Sequence, residues 1–209
     1  MTSKWNYLSH QNDNQTETEL SRRFANCAPI SDLLHQRGIN TLSEAEKFFH
    51  PSLRDLHDPF LMPDMDKAVD RLNRAMGAKE KIMIYGDYDV DGTTAVALVY
   101  RYLQNFYSEI DYYIPTRYDE GYGISFKVID QAAEQGVKLI IILDCGIKAI
   151  EEIAYARTKG IDFIICDHHV PDDELPPAAA ILNPKLEGST YPCQHLSGCG
   201  VGYKFMQAF

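Results

Sequence analysis

In this chain of 209 residues, 30 Asp and Glu outweigh 20 Lys and Arg, and the resulting formal charge of -10 excludes nucleic-acid binding by backbone neutralisation alone. The same acidity suits a site in which divalent cations sit between carboxylates and an anionic substrate. An apolar content of 45% with 11% aromatics excludes a disordered chain, and the length suits one core with at most a small appendage.

The N-terminal "MTSKWNYLSHQNDN" has neither the charged nor the apolar region of a leader, and no apolar run is long enough to span a bilayer. Cys27, Cys145, Cys166, Cys193 and Cys199 form no CxxC pair. Together these predict a cytosolic protein with free thiols and no membrane association. Residues 1–79 form a polar, helical lead-in. Within it, "TLSEAEKFF" has the order of a capping box, Thr41 followed by Glu44. "PDMDKAVDRLNRAM" puts Met65, Ala68, Val69, Leu72, Ala75 and Met76 on one helical stripe, and "LHDPFLMPD" between them reads as a surface loop.

From residue 80 the rhythm becomes strand, helix, strand. "KIMIY" is a short apolar strand, followed by the acidic turn "GDYDVDG" and a helix "TTAVALVYRYLQNF" that is apolar nearly all round and so expected to be buried. "DYYIPTR" is next, then the loop "YDEGYG" and a helix from Ser125 to Gly136. "KLIIIL" runs into "DCG", a helix through "KAIEEIAYARTKG" ends at Gly160, and "DFIIC" runs into "DHH". Apolar strands alternating with helices predict an α/β fold over residues 80–209, an open, mainly parallel sheet with helices on both faces. The final "VGYKFMQAF" reads as a helix barely begun, which predicts a cut inside a longer polypeptide.

Sites in such sheets form beyond the carboxyl ends of the strands. Asp87, Asp89 and Asp91 follow the first strand, Asp144 the third, and Asp167, His168 and His169 the fourth, so all should converge on one edge. Singly, each has a simpler explanation. "DYDVDG" begins like a calcium loop, but with Asp87 first the twelfth position is Leu98, which excludes an EF-hand. Asp144 alone could be a helix cap, and paired histidines are commonly surface residues. Converging, four or more carboxylates would repel one another and resist ionisation unless cations intervene. Mixed carboxylate and imidazole ligands favour manganese, magnesium, iron or zinc, and two ions bridged by a carboxylate suit phosphoester hydrolysis.

"YGDYDVDGTTA", "ILDCGI", "CDHHVP" and "LSGCGVGYKF", in that order, resemble the four motifs of the DHH phosphoesterase superfamily. The flank "LLHQRGINTLSEAEKFFHPSLRDLHDPFLMPDMDKAVDRL" and the loop "IPTRYDEGYGIS" are similar to the RecJ-type single-strand-specific exonucleases within it. The resemblance implies that Asp89, Asp91, Asp144 and His168 bind metal, with Asp144 as bridge and Asp87 as a further ligand or a group steering water. It implies a cofactor of two Mn2+ or Mg2+ ions. Asp167 would orient His168, and His169 would touch the scissile phosphate. Gly121 and Gly123 of "GYG", with Ser197, Gly198 and Gly200 of "SGCG", would let backbone approach or cradle phosphate, and Arg117 would hold one as a fork donor. The alternatives are a tight strand-to-helix turn for the stretch at Gly198, Gly200 and Gly202 and pairing of Arg117 with Asp119 or Glu120. Two departures stand out. Tyr85 occupies a position where relatives carry a histidine ligand, and no carboxylate between His169 and Phe209 matches the one that relatives supply beyond these motifs; Asp172 and Asp173 lie too close to the histidines.

The activity implied is metal-dependent, 5′-to-3′ hydrolysis of single-stranded DNA in repair and recombination, with a repair helicase or single-strand-binding protein as candidate partner and the chain inactive by itself. A phosphodiesterase or pyrophosphatase acting on small phosphate esters, and a non-catalytic scaffold of the same fold, are the alternatives.

Overall fold

Leu139 to Leu143 run without a polar residue, and such a strand is stable only where both faces of its sheet are covered. In the computed structural model all five are fully buried. The structure describes residues 20, 22–24, 28–116, 118, 121 and 123–209. Contacts divide the chain into two units, one ending at Leu56 and one spanning His57–Phe209.

The first unit contains α1 (Ala28–Gln36) and α2 (Leu42–Phe49) around Leu20, Leu34 and Ala45. Its capping box forms as expected: Thr41 Oγ1 accepts from the Glu44 N–H, and Glu44 accepts in return from the Thr41 N–H.

The second unit contains α3 (Met65–Gly77), β1 (Lys81–Gly86), α4 (Val90–Leu103), β2 (Ile110–Tyr113), α5 (Phe126–Glu134), β3 (Val137–Leu143), α6 (Ile150–Thr158), β4 (Asp162–Cys166), β5 (Ala180–Leu182) and α7 (Gly198–Ala208). The strands form one parallel sheet in the order β2-β1-β3-β4-β5. Period-two alternation splits its side chains between two cores. Ile82, Ile84, Leu139, Ile141, Leu143 and Ile164 pack with α3, α4 and α7. Met83, Tyr85, Ile140, Ile142, Phe163 and Ile165 pack with α5 and α6 on the other face.

Three details depart from the sequence expectations. Helix α3 belongs with the sheet rather than with a separate lead-in ending at residue 79. Its stripe buries Met65, Ala68, Leu72 and Ala75, and its buried Arg71 donates to Glu80 and to Asp162, each at 2.7 Å. Helix α4 is not buried all round: Gly92, Ala95, Val96, Val99 and Leu103 face inward, while Val90 is 83% exposed. Lying on one face of the sheet, it has a covered side, to which Tyr100 also packs, while Val90 and Tyr102 lie exposed. Strand β5 was absent from the expected elements, because three residues carry no measurable period.

The turn from β1 into α4 depends on close backbone approach. A Cβ on Gly92 would lie 2.4 Å from the carbonyl oxygen of Asp87, with further backbone atoms at 2.7 Å, whereas one on Gly77 would meet nothing within 4 Å. Gly92→Ala should therefore destabilise the unit by about 1–3 kcal/mol or more. Gly77→Ala should stabilise it by up to about 1 kcal/mol. Urea unfolding of the two variants checks the pair; equal midpoints would refute the packing described for this turn.

Candidate metal centre

Register brings the acids together. Gly86 pairs with Leu143, and Leu143 with Cys166. The next residue on each strand is an aspartate, so Asp87, Asp144 and Asp167 stand side by side across strands spaced about 4.8 Å apart. All three are buried, at 3%, 2% and 0% exposure. Leu182 pairs with Cys166 and adds the buried Asn183 to the row.

Their surroundings give the acids different chemistry. Asp167 is saturated with donors: Oδ1 accepts from the His168 N–H (2.7 Å), the His169 N–H (3.1 Å) and His169 Nδ1 (2.7 Å), and Oδ2 accepts from the Ile147 N–H (3.0 Å). Asp144 is the opposite case. It is held in the left-handed region at φ 60°, and its Oδ1 is buried without a hydrogen bond. Burial first, then repulsion from Asp91, Asp89 and Asp167, push its carboxyl up to about 8. Asp87 also has an unbonded buried oxygen, and burial, reinforced by repulsion from Asp89, raises its carboxyl.

The ring of His168 closes on Asp144. Its Nδ1 lies 2.9 Å from the Leu196 carbonyl, which can only accept, so that nitrogen carries the proton. In the neutral ring Nε2 then presents a lone pair, 3.2 Å from Asp144 Oδ1 and 3.8 Å from Asp91 Oδ2. Acceptors facing one another across such gaps require a cation between them, either a proton or a metal ion. Ligand atoms of Asp144, His168 and His169 all lie within 4.8 Å of one another. Carboxylate and imidazole donors in that arrangement fit a divalent first-row ion or magnesium. Asp167, expected to orient His168, instead holds the ring of His169; the Leu196 carbonyl is the group that fixes His168.

Asp89 caps α4, accepting from the Gly92 N–H at 3.0 Å, and is itself exposed. Asp91, in the first turn, crosses to α7: its two oxygens accept from the Gly198 and Cys199 N–H groups, each at 2.7 Å. Ser197 accepts from the Gly200 N–H at 3.1 Å. The amides expected to cradle phosphate around Ser197, Gly198 and Gly200 are therefore already engaged, and this stretch is the capped N-terminus of α7, reached through a loop after β5. Gly198 is needed for proximity, since a Cβ there would fall 2.3 Å from Asp144 Oδ1.

Tyr85 does not take the place of a histidine ligand. Its hydroxyl donates to the Gly123 carbonyl at 2.8 Å, and its ring stacks on Tyr113. Gly121 and Gly123 both have positive φ, and Gly123 borders a cavity of about 510 Å3 that His169 and Asp167 also line. Arg117, with Asp119, Glu120 and Tyr122, lies outside the described residues.

Two supporting groups escaped the sequence reading. Asn183 donates to the His169 carbonyl at 2.9 Å, fixing the turn beyond the second histidine. Its position just beyond a strand end was the available signal, but β5 is too short to announce itself. The Leu196 carbonyl had no signal, because a main-chain acceptor is independent of side-chain identity.

Comparison with known proteins fits this architecture. The chain is 39% identical over its whole length to the single-stranded-DNA-specific exonuclease RecJ of Bacillus subtilis (strain 168), of which it spans 26%. A crystal structure of exonuclease RecJ bound to manganese is 28% identical, with a TM-score of 0.65 over 70% of this chain and 37% of that one. A structure of RecJ in complex with Mn2+ from Thermus thermophilus shares the fold, with a TM-score of 0.73 at 23% identity over 96% of this chain and 28% of that one. The described family match, DHH family, N-terminal domain, runs over residues 81–209, the span that carries the strand-end acids and both histidines, and the chain belongs to that family.

Proposed function

We propose that this chain builds a divalent-metal site, for Mn2+ or Mg2+, that serves 5′-to-3′ exonucleolytic hydrolysis of single-stranded DNA. The observation that carries the metal reading is the buried, unbonded Asp144 Oδ1 facing His168 Nε2 at 3.2 Å. Bound there, the ion would supply charge neutralisation at a phosphodiester and acidify an attacking water. The nuclease reading is supported by the likeness to RecJ exonucleases, one of them crystallised with manganese. Work in DNA repair and recombination, in the reducing cytoplasm, belongs to the same proposal; free thiols at Cys145, Cys166, Cys193 and Cys199 are compatible with it.

Within it, each residue has a distinct task. Asp144, His168 and His169 form the core of the donor set. Asp91 and Asp89 face the same edge, and although both Asp91 oxygens accept amides, each retains a further lone pair. Asp144 is the proposed bridge if two ions bind, and Asp87 contributes its unbonded oxygen. Asp167 withdraws from ligation and orients the ring of His169 through Nδ1.

Calorimetric titration with Mn2+ tests the centre. Asp144→Asn and His168→Ala should each weaken binding by more than about tenfold, and Asp167→Asn by about 10–100-fold through loss of ligand orientation. Undiminished Mn2+ affinity in Asp144→Asn would sink the metal reading. Loss of exonuclease activity on single-stranded DNA in a RecJ-length protein carrying Asp144→Ala would be the corresponding result for the reaction.

The pH dependence has a definite sign. Without metal, Asp144 retains its proton up to about 8 in the folded state, against 3.8 as the ordinary value. Its contribution to stability is thus full below about 4 and is lost as pH rises to about 8. Mn2+ must displace that proton, so affinity should climb by up to about one decade per pH unit below 8 and level off above it. Metal-free thermal melts of wild type and Asp144→Asn should diverge over this interval, with the asparagine variant less sensitive to pH; parallel curves would contradict the assigned protonation.

A further inference from the structure

The cavity of about 510 Å3 borders the metal centre at His169 and Asp167, and the rest of its lining has no part in that centre. Its size lies within the roughly 300–1,000 Å3 of small-molecule sites. Ile124, Ile147 and Ala149 offer apolar surface, while His169, Lys148 and Glu152 supply polar groups. That mixture suits a nucleotide, whose base and sugar need apolar contact and whose phosphate needs a cation. Lys148 supplies the cation. Its side chain is 58% exposed and its Nζ contacts Asp172 Oδ1 at 2.7 Å, Asp172 being 56% exposed. An exposed pair of this kind contributes little to stability and can exchange partners. A carboxylate oxygen on an ammonium also occupies the place that a phosphate oxygen would take. The base of Lys148 is well positioned, because the preceding Ile147 N–H is fixed on Asp167 Oδ2 at 3.0 Å.

We propose that Lys148 binds a phosphate of the terminal nucleotide of a single-stranded substrate lodged in this cavity, and that Asp172 holds the ammonium until the phosphate displaces it. Glu152 on the same lining opposes a second anionic group and favours a monophosphate. The inference rests on the nuclease reading above, since a phosphodiester strand is what delivers a phosphate next to His169.

Titration of the 209-residue chain with deoxyadenosine 5′-monophosphate and with deoxyadenosine, each with and without Mn2+, tests it. The monophosphate should bind more tightly than the nucleoside. Lys148→Ala should weaken the monophosphate by about tenfold or more, leaving nucleoside and Mn2+ affinities unchanged. Lys148→Arg should retain most of the affinity, and Asp172→Asn should strengthen monophosphate binding. Equal monophosphate affinity in wild type and Lys148→Ala, or no binding of it by wild type at millimolar concentration, overturns the inference while leaving the metal centre intact. Absence of Mn2+ binding with the Lys148 dependence preserved does the reverse: the cavity assignment stands and the metal reading falls.

Discussion

The site depends on strand register. With Gly86, Leu143 and Cys166 level across three neighbouring strands, the next residue of each is forced to the same height at the carboxyl edge. All three are aspartates, and all are buried. Carboxylates brought this close in low dielectric cannot all ionise unless donors or cations answer each one. The two apolar faces of the sheet supply the stability that keeps them in place. A one-residue slip of β3 would send Asp144 to the other face and break the row.

The same residue type at the same strand position therefore acquires opposite roles. Asp167 receives four donors and organises the turn around it, while Asp144 is left with an unbonded oxygen and a carboxyl pushed up to about 8. The difference originates in the turns beyond the strands. After β4 the chain curls so that the His168 and His169 amides point back at Asp167, whereas after β3 the positive φ of Asp144 turns the chain away. One acid thus builds the turn, and the other is left for a cation to satisfy.

Much of this was legible in the sequence because it is a property of strand ends. "KIMIYGD", "KLIIILD" and "DFIICD" each announce a buried strand with an acid beyond it, and parallel topology places those acids together. What was not legible depended on main-chain geometry or on very short elements. The partner of His168 is a carbonyl, and Asn183 follows a three-residue strand. The "SGCG" stretch combines the glycines and serine expected of a phosphate cradle, yet its amides are taken by Asp91, a residue 107 positions away from Gly198. The placement of α3 is a similar case: its polar composition resembles a lead-in, but Arg71 reaches Asp162 across 91 positions of sequence. Local patterns cannot reveal such long-range partners.

Asp91 shows why the helical turn and the acidic edge are one construction. A helix N-terminus carries partial positive charge and unpaired N–H groups, both of which favour a neighbouring anion. By accepting from Gly198 and Cys199, Asp91 answers those groups and spreads its own charge into α7. Its repulsion still follows burial as the next cause that raises the Asp144 carboxyl. The bond also brings α7 so close that only glycine fits at position 198 against the Asp144 carboxylate. Leu196, just ahead of the helix, then lies where its carbonyl can fix His168. Docking of α7 thus does two things at once for the proposed centre: its first amides hold one acid of the edge, and the carbonyl just ahead of it turns the imidazole lone pair towards another.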